Sequence, residues 1–162
     1  MKQTMVIVGL GLIGGSLALA LKGFEDFEIV GVDVSQPTLR YAAEHGVGDR
    51  VTEDAAAELP QADVVALFLP HSPQTVRLMD ERRIALMKDD AILLSAGRGS
   101  VLDQEALARA MAGGKLWGAA LDVTVPEPLP QDSPLWTIPN LIITPHSAGG
   151  MRLEVTRANC VR

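Results

Sequence analysis

Three short stretches of this chain carry a cation, a carboxylate and an imidazole in polar surroundings: Ser95-Ala96-Gly97-Arg98-Gly99, Asp122 to Glu127, and Pro145-His146-Ser147. A guanidinium can hold a carboxylate and polarise a neighbouring carbonyl, and an imidazole can give or take a hydroxyl proton near neutral pH. A carboxylate beside that imidazole would orient its ring. Arg98, Glu127 and His146 together could therefore serve hydride transfer at the 2-position of a small 2-keto or 2-hydroxy acid. A fourth stretch, Gly9-Leu10-Gly11-Leu12-Ile13-Gly14, has the spacing of a loop that cradles a pyrophosphate. Its first glycine permits a tight turn, its second lets the backbone approach the phosphates, and its third lets helix and strand pack closely. Asp33, 19 residues past Gly14, can accept both ribose hydroxyls of NAD and would repel a 2′-phosphate. Val34-Ser35-Gln36 offers no Arg or Lys to welcome one, so NAD is the expected dinucleotide.

Each residue also has a plainer reading: a surface arginine in a glycine turn, an exposed glutamate in a proline-rich loop, and a histidine capping the last helix. What raises the chemical reading is placement. Short apolar runs rich in β-branched residues alternate with longer segments of helical period, the pattern of a doubly wound parallel α/β sheet of about seven strands. The strands are expected at about Met5 to Val8, Glu28 to Val32, Arg50 to Thr52, Asp63 to Leu69, Ala91 to Ser95, Trp117 to Leu121 and Leu141 to Thr144. Helices are expected from Leu12 to Lys22, from a Ser35 cap with Pro37 inside it to Gly46, and over a short Ala-rich segment before Asp63. Three more follow: one opened by Ser72-Pro73, one capped by Asp103 and ended by Gly113-Gly114, and one from Ala148 to Arg162. Five prolines between 123 and 140 mark an ordered excursion. In such a sheet ligands bind beyond the carboxyl ends of the strands. The three polar stretches and the glycine loop all fall there. Gly9, Gly11, Leu12, Ile13, Gly14, Asp33, Leu69, Pro70, Ala96 and Asp122 are the expected cofactor-side residues.

Composition sets the boundaries. The chain has 162 residues, 48% hydrophobic, 21% charged and only 4% aromatic, which fits one domain with an aliphatic core. A formal charge of −6 and no basic run longer than two argue against nucleic acid. The single cysteine, Cys160, allows no disulfide framework, and a reducing, cytoplasmic setting follows. No stretch approaches a membrane span, and no metal site is expected. His45 reads as the end of a surface helix, His71 as structural, Trp117 and Trp136 as packing residues under the proline-rich loop, and Cys160 as a helix-face thiol.

Two families are resembled. In the N-terminal part, about residues 1–69, Val6-Ile7-Val8-Gly9-Leu10-Gly11-Leu12-Ile13-Gly14-Gly15-Ser16-Leu17-Ala18 and Val30-Gly31-Val32-Asp33 resemble the NAD domain of prephenate/arogenate dehydrogenases. From about 69 to 162 the chain resembles a D-2-hydroxyacid dehydrogenase through Ala96-Gly97-Arg98-Gly99, Gly118-Ala119-Ala120-Leu121-Asp122-Val123, Pro126-Glu127-Pro128-Leu129 and Thr144-Pro145-His146. That second resemblance implies a Rossmann fold, Arg98 on the substrate carboxylate and carbonyl, Glu127 paired with the general acid/base His146, and Asp122 facing the nicotinamide carboxamide. Val125 stands where the family often has an acidic residue. The substrate-binding domain of that family has no counterpart in the sequence. The expectation is a single dinucleotide-binding domain, an engineered chimera of two dehydrogenase fragments joined within Asp63 to Leu69, with an isolated NAD domain of one natural, divergent enzyme as the alternative. Little or no turnover is expected by itself, and self-association is expected through the uncovered interdomain face. A folding scaffold, or a NAD-sensing module like the corepressors that share this fold, is the non-catalytic alternative.

Overall fold

The computed structural model describes residues 2–24 and 26–148. Near-continuous apolar runs form seven parallel strands: β1 Gln3–Val8, β2 Phe27–Val32, β3 Arg50–Thr52, β4 Val64–Leu67, β5 Ile92–Ser95, β6 Gly118–Leu121 and β7 Leu141–Ile143. They lie in the order β3-β2-β1-β4-β5-β6-β7. The helices are α1 Leu12–Leu21, α2 Gln36–His45, α3 Ala55–Glu58, α4 Glu81–Leu86 and α5 Gln104–Ala112. Alternate strand residues point to opposite faces, and both faces are buried. Ile7, Ile29 and Ala66 pack with Ala18 of α1 and Leu39 of α2. Val65, Leu93 and Leu121 pack on the other side with Ile84 of α4 and Leu107 of α5. Burial on two sides is why the strands read as apolar runs rather than as an alternation.

Register carries this architecture to the site. Val32, Val8, Leu67, Ser95, Leu121 and Ile143 stand in one row across six strands. The residues one step further along, Asp33, Gly9, Phe68, Ala96, Asp122 and Thr144, therefore share a single rim. Chain direction across the sheet reverses between β1 and β4, which opens a crevice at that rim.

Four of the five helices among the described residues begin on a side-chain cap: Ser35, Asp54, Asp80 and Asp103 each accept from the main-chain N–H three residues on. Helix α1 begins at Gly11 with no side-chain cap at all. Its first-turn N–H groups are left for something else.

Three expectations change. Ser72-Pro73 opens a turn, not a helix: Ser72 N donates to Thr75 Oγ1 (2.9 Å), and Thr75 and Val76 N–H both donate to Ser72 O (3.0 Å). Arg77 then adopts a left-handed φ of 51° and its N–H donates to Ser100 O, so this segment pairs with the loop after β5 and α4 starts only at Glu81. Trp117 and Trp136 are 64% and 52% exposed, so neither is buried under the proline-rich loop. Strand β4 ends at Leu67, two residues before its expected end: Phe68 N–H still donates to Val8 O (2.8 Å), and Leu69 lies against Gly9 and Gly97. The terminal helix and Cys160 lie outside the described residues.

Candidate functional site

The glycine loop is shaped by three different demands. Gly9 has φ of 98°, and a Cβ there would meet Phe68 O at 2.9 Å. At Gly14 a Cβ would meet Gly9 O at 2.0 Å, so α1 closes onto the turn only because that position lacks a side chain. Gly11 is the opposite case: an added Cβ meets nothing within 4 Å. No atom among the described residues requires glycine at 11. A ligand lying against the uncapped start of α1 would, and the residues present fit a dinucleotide pyrophosphate there. Leu12 and Ile13 are 93% and 58% exposed, so what they can offer that ligand is the main-chain N–H of the helix's first turn.

Asp33 is half-buried at the end of β2, and it does more than the sequence implied. Its Oδ2 accepts Leu10 N–H and its Oδ1 accepts Ser35 N–H, both at 2.9 Å. The carboxylate thus ties the glycine loop to β2. Each oxygen retains a second lone pair for a ribose hydroxyl.

Across the crevice, Arg98 sits between two glycines that are clamped from both sides. A Cβ on Gly97 would meet Leu69 O at 2.5 Å, and one on Gly99 would meet Thr124 O at 2.4 Å. The loop is thereby wedged between the segments after β4 and β6. Arg98 is exposed, with Nη1 donating to Gly97 O at 2.8 Å. Leu69 is half-buried against both glycine segments, Pro70 is exposed, and Ala96 N–H donates to Leu67 O (3.1 Å) to continue the rim.

Glu127 and His146 form the contact that the sequence anticipated: Nδ1 to Oε2 is 3.0 Å. Glu127 Oε1 also accepts Thr124 N–H at 3.1 Å. The hydrogen bond with His146, then the one from Thr124, hold the Glu127 carboxyl below the usual carboxylate range. An ionised carboxylate can only accept, so the ring proton belongs on Nδ1 and Nε2 is the atom left to exchange a proton.

His146 itself has a left-handed φ of 52°, a conformation that costs energy in a residue with a Cβ. Asp122 is what holds it. Its main-chain O accepts His146 N–H (2.8 Å). Its carboxylate accepts Ser147 N–H (2.8 Å), Ala148 N–H (2.9 Å) and the Thr144 hydroxyl. Burial works to raise the Asp122 pKa, but the hydrogen bonds from Thr144, Ala148 and Ser147 outweigh it and hold the carboxyl below its ordinary value. Asp122 is 7% exposed. The structure uses its carboxylate to fold the His146 loop, a task beyond the one that the resemblance implies for it at the nicotinamide carboxamide.

Arg98, Glu127 and His146 thus follow three neighbouring strands, β5, β6 and β7, with Gly99 against Thr124 linking the first to the other two. The roles of Thr124 and Thr144 went unnoticed in the sequence. Thr124 lies inside a polar stretch, three residues before Glu127, and Thr144 just before another, two residues before His146, but nothing in their spacing distinguishes them from solvent-facing threonines. His71, read as structural, binds Ser100 Oγ through Nδ1 at 2.8 Å and ties the loop after β4 to the Arg98 loop. A cavity of about 460 Å³ opens beside the dyad, and Leu129, Trp136 and Ile143 line it together with Glu127 and His146.

Comparison with known proteins gives this geometry a lineage. The profile of the family described as "D-isomer specific 2-hydroxyacid dehydrogenase, NAD binding domain" matches residues 1–148. A glyoxylate/hydroxypyruvate reductase B of Klebsiella pneumoniae is 40% identical over 159 residues, which is 97% of this chain and 47% of the relative. A D-3-phosphoglycerate dehydrogenase of Methanocaldococcus jannaschii is 36% identical over 144 residues, 89% of this chain and 26% of the relative. Among solved structures, the NAD-complexed D-isomer specific 2-hydroxyacid dehydrogenase of Lactobacillus delbrueckii ssp. bulgaricus superposes with a TM-score of 0.77 at 29% identity. That superposition covers 92% of this chain and 47% of the other. The chain spans between about a quarter and a half of the length of the relatives it matches.

Proposed function

The chain belongs to the NAD-binding domain family of the D-isomer specific 2-hydroxyacid dehydrogenases, and from that premise we propose that it is the cofactor-holding half-site of an NAD-dependent reaction between a 2-hydroxy acid and a 2-keto acid. The observation that carries the proposal is the Glu127–His146 pair, 3.0 Å apart on the rim that the glycine loop shares. When bound, the nicotinamide supplies the hydride for C2 of the keto acid, or accepts it in the reverse direction. Arg98 binds the substrate carboxylate and draws electron density from the carbonyl oxygen. His146 gives its Nε2 proton to that oxygen as the hydroxyl forms and takes it back in the oxidation. Glu127 fixes the tautomer by accepting from Nδ1, and stabilises the ring while it is charged. Gly9, Gly11, Gly14 and Asp33 hold the dinucleotide, with Leu69, Pro70 and Ala96 along the crevice wall.

Residues 1–162 constitute one dinucleotide-binding domain in this reading, with halves at about 1–69 and 69–162. By itself it turns substrate over slowly or not at all, because one wall of a crevice neither orients the substrate fully nor excludes water. Exposed Leu12 and Val34 beside the crevice support self-association there, and the single cysteine supports a cytoplasmic setting. Among the described residues no helix is long and apolar enough to cross a membrane.

The test is a titration with NADH followed by fluorescence, then an assay with NADH and glyoxylate, pyruvate or hydroxypyruvate. Binding without fast turnover is expected. Robust turnover that vanishes in His146→Ala would overturn the inactivity and keep the site; no binding would overturn the proposal. The two-parent origin is a separate proposal that rests on the Gly14-Gly15-Ser16 run, and a single family match over residues 1–148, which spans 63–69, weighs against it. One natural relative matching both halves at high identity would remove it.

A further inference from the structure

The loop that carries Glu127 is held by a side chain that proton transfer does not use. Val125 lies beyond the end of β6 and belongs to no strand, and Pro126 and Pro128, on either side of Glu127, have no N–H to give. Both main-chain groups of Val125 are nevertheless paired, and with the same side chain: Gln104 Nε2 donates to Val125 O at 2.7 Å, and Val125 N–H donates to Gln104 Oε1 at 3.1 Å. A carboxamide carries a donor and an acceptor side by side, as a peptide group does, so Gln104 takes the place of a neighbouring strand. Val125 is exposed, and water is at hand for the same two groups. Satisfying hydrogen bonds therefore does not account for the clamp. Fixing the loop in one position does.

Both ends of the clamp lead to the site. Gln104 opens α5, where Asp103 caps the first turn by accepting Ala106 N–H (3.0 Å) and Leu107 is fully buried. The chain before it runs back through buried Leu102 and Val101 to Arg98, and Gly99 on that path lies against Thr124 O. On the other side Thr124 directly precedes Val125. Its N–H donates to Glu127 Oε1 at 3.1 Å and its hydroxyl to Pro126 O at 3.0 Å. Resting on the half-site reading above, we propose that Gln104 is a positioning residue: by holding both main-chain groups of Val125 it keeps Thr124 N–H on Glu127, and so sets the Glu127–His146 pair at a fixed place relative to Arg98. It acts through Val125 and Thr124, not on a reacting atom. A Glu127 carboxylate without the Thr124 bond is held by His146 alone, and it no longer offers the Nδ1 proton a fixed acceptor.

Two variants separate hydrogen bonding from bulk. Gln104→Met keeps the length of the side chain and loses both bonds, whereas Gln104→Ala removes the side chain as well. The clamp is exposed and the glycine loop lies several strands away, so each variant should melt within about 5 °C of wild type and bind NADH within about twofold of it. The readouts that a merely structural role would not move are the Glu127 carboxyl titration, followed by ¹³C shift, and the His146 tautomer, followed by ¹⁵N shift. In wild type the bonds from His146 and then Thr124 hold the Glu127 carboxyl low, and Asp122, the other charge near it, is the same in every variant. In both variants the Glu127 titration should move up toward the ordinary glutamate range. The Nε2–H form of the neutral His146 ring should gain about threefold or more over the Nδ1–H form, the weight of one loosened hydrogen bond. A Gln104→Met protein with the titration and tautomer of wild type overturns the proposal, whatever Gln104→Ala does, and leaves dinucleotide binding intact. Failure of the wild-type chain to bind NADH overturns the half-site reading, and with it the reaction that Gln104 would serve.

Discussion

The two ends of the crevice are built in different ways. At β1 and β2 the site is made of main chain: a left-handed glycine, a glycine with no room for a methyl group, an uncapped helix start, and one carboxylate tying the turn in place. At β5 to β7 it is made of side chains that hold main chain and one another: the Asp122 carboxylate on the Ser147 N–H, Glu127 on the Thr124 N–H, and Glu127 on His146. A main-chain site recognises what most dinucleotides share, the pyrophosphate. A side-chain site can be tuned to a substrate, but it depends on a hydrogen-bond network that acid or a single substitution can undo.

The largest effect should come from the close-packed glycine. In Gly14→Val the added atoms would overlap Gly9 O, where even a Cβ would lie at 2.0 Å. We expect a loss of about 3 kcal/mol or more of stability and no measurable NADH binding, checked by denaturant unfolding and fluorescence titration. A stable, binding variant would show that the turn is soft and break the contrast at its strongest point.

Next is the keystone of the other end. Asp122→Ala should cost about 2 kcal/mol, because the main-chain N–H groups of Ser147 and Ala148 and the Thr144 hydroxyl lose a charged acceptor, and it should release the strained backbone at His146. The pH dependence has a definite sign. The Asp122 carboxyl is held below its ordinary value in the folded state, so its contribution is present above the unfolded pKa of about 3.9 and is lost as pH falls through the folded value. Wild-type stability should therefore drop below about pH 4 more steeply than that of Asp122→Ala. Parallel acid titrations would contradict the assignment. NADH affinity should stay within about threefold of wild type, since the glycine loop lies several strands away.

Gly11→Ala separates shape from packing. With nothing within 4 Å of the added methyl, and with ordinary extended backbone at 11, unfolding should shift by no more than about 0.5 kcal/mol. NADH binding should weaken on the order of tenfold, the equivalent of about 1.4 kcal/mol. Calorimetric titration beside a melting curve reads both. Unchanged affinity would mean that the phosphates do not approach this position.

The same contrast explains what could be read from the sequence. Glycine spacing, strand–turn–helix context and Asp33 revealed the main-chain end, because backbone geometry leaves few residue choices. The seven strands follow from the apolar runs, whereas their register is a property of the assembled sheet. At the side-chain end Arg98, Glu127 and His146 were visible by residue type, but Thr124 and the true task of Asp122 were not. Their roles exist only once β6 and β7 lie side by side, and no local pattern reports that. Ser72-Pro73 misled for a related reason: its cap chemistry is real, but Thr75 satisfied it locally and the left-handed Arg77 ended the turn. Trp136 was read as packing because large apolar residues usually are, and only its exposure reveals the cavity.

The smallest effect on the fold, and the finest test of the side-chain end, is Glu127→Ala. The Glu127 and His146 side chains are both about two-fifths exposed, so their pairing should contribute less than about 1 kcal/mol to stability and the melting curve should barely move. The tautomer should move instead. With Glu127 present, ¹⁵N shifts of the neutral ring should place its proton on Nδ1, facing the carboxylate. Without it the proton has no fixed acceptor, and the Nε2–H form, the usual preference of a free imidazole, should become populated. A wild-type ring already divided between both forms would mean that Glu127 does not set the proton's position. His146 would then meet a substrate oxygen in the wrong state for part of the time, and the side-chain end would lack the preorganisation that the glycine loop has by construction.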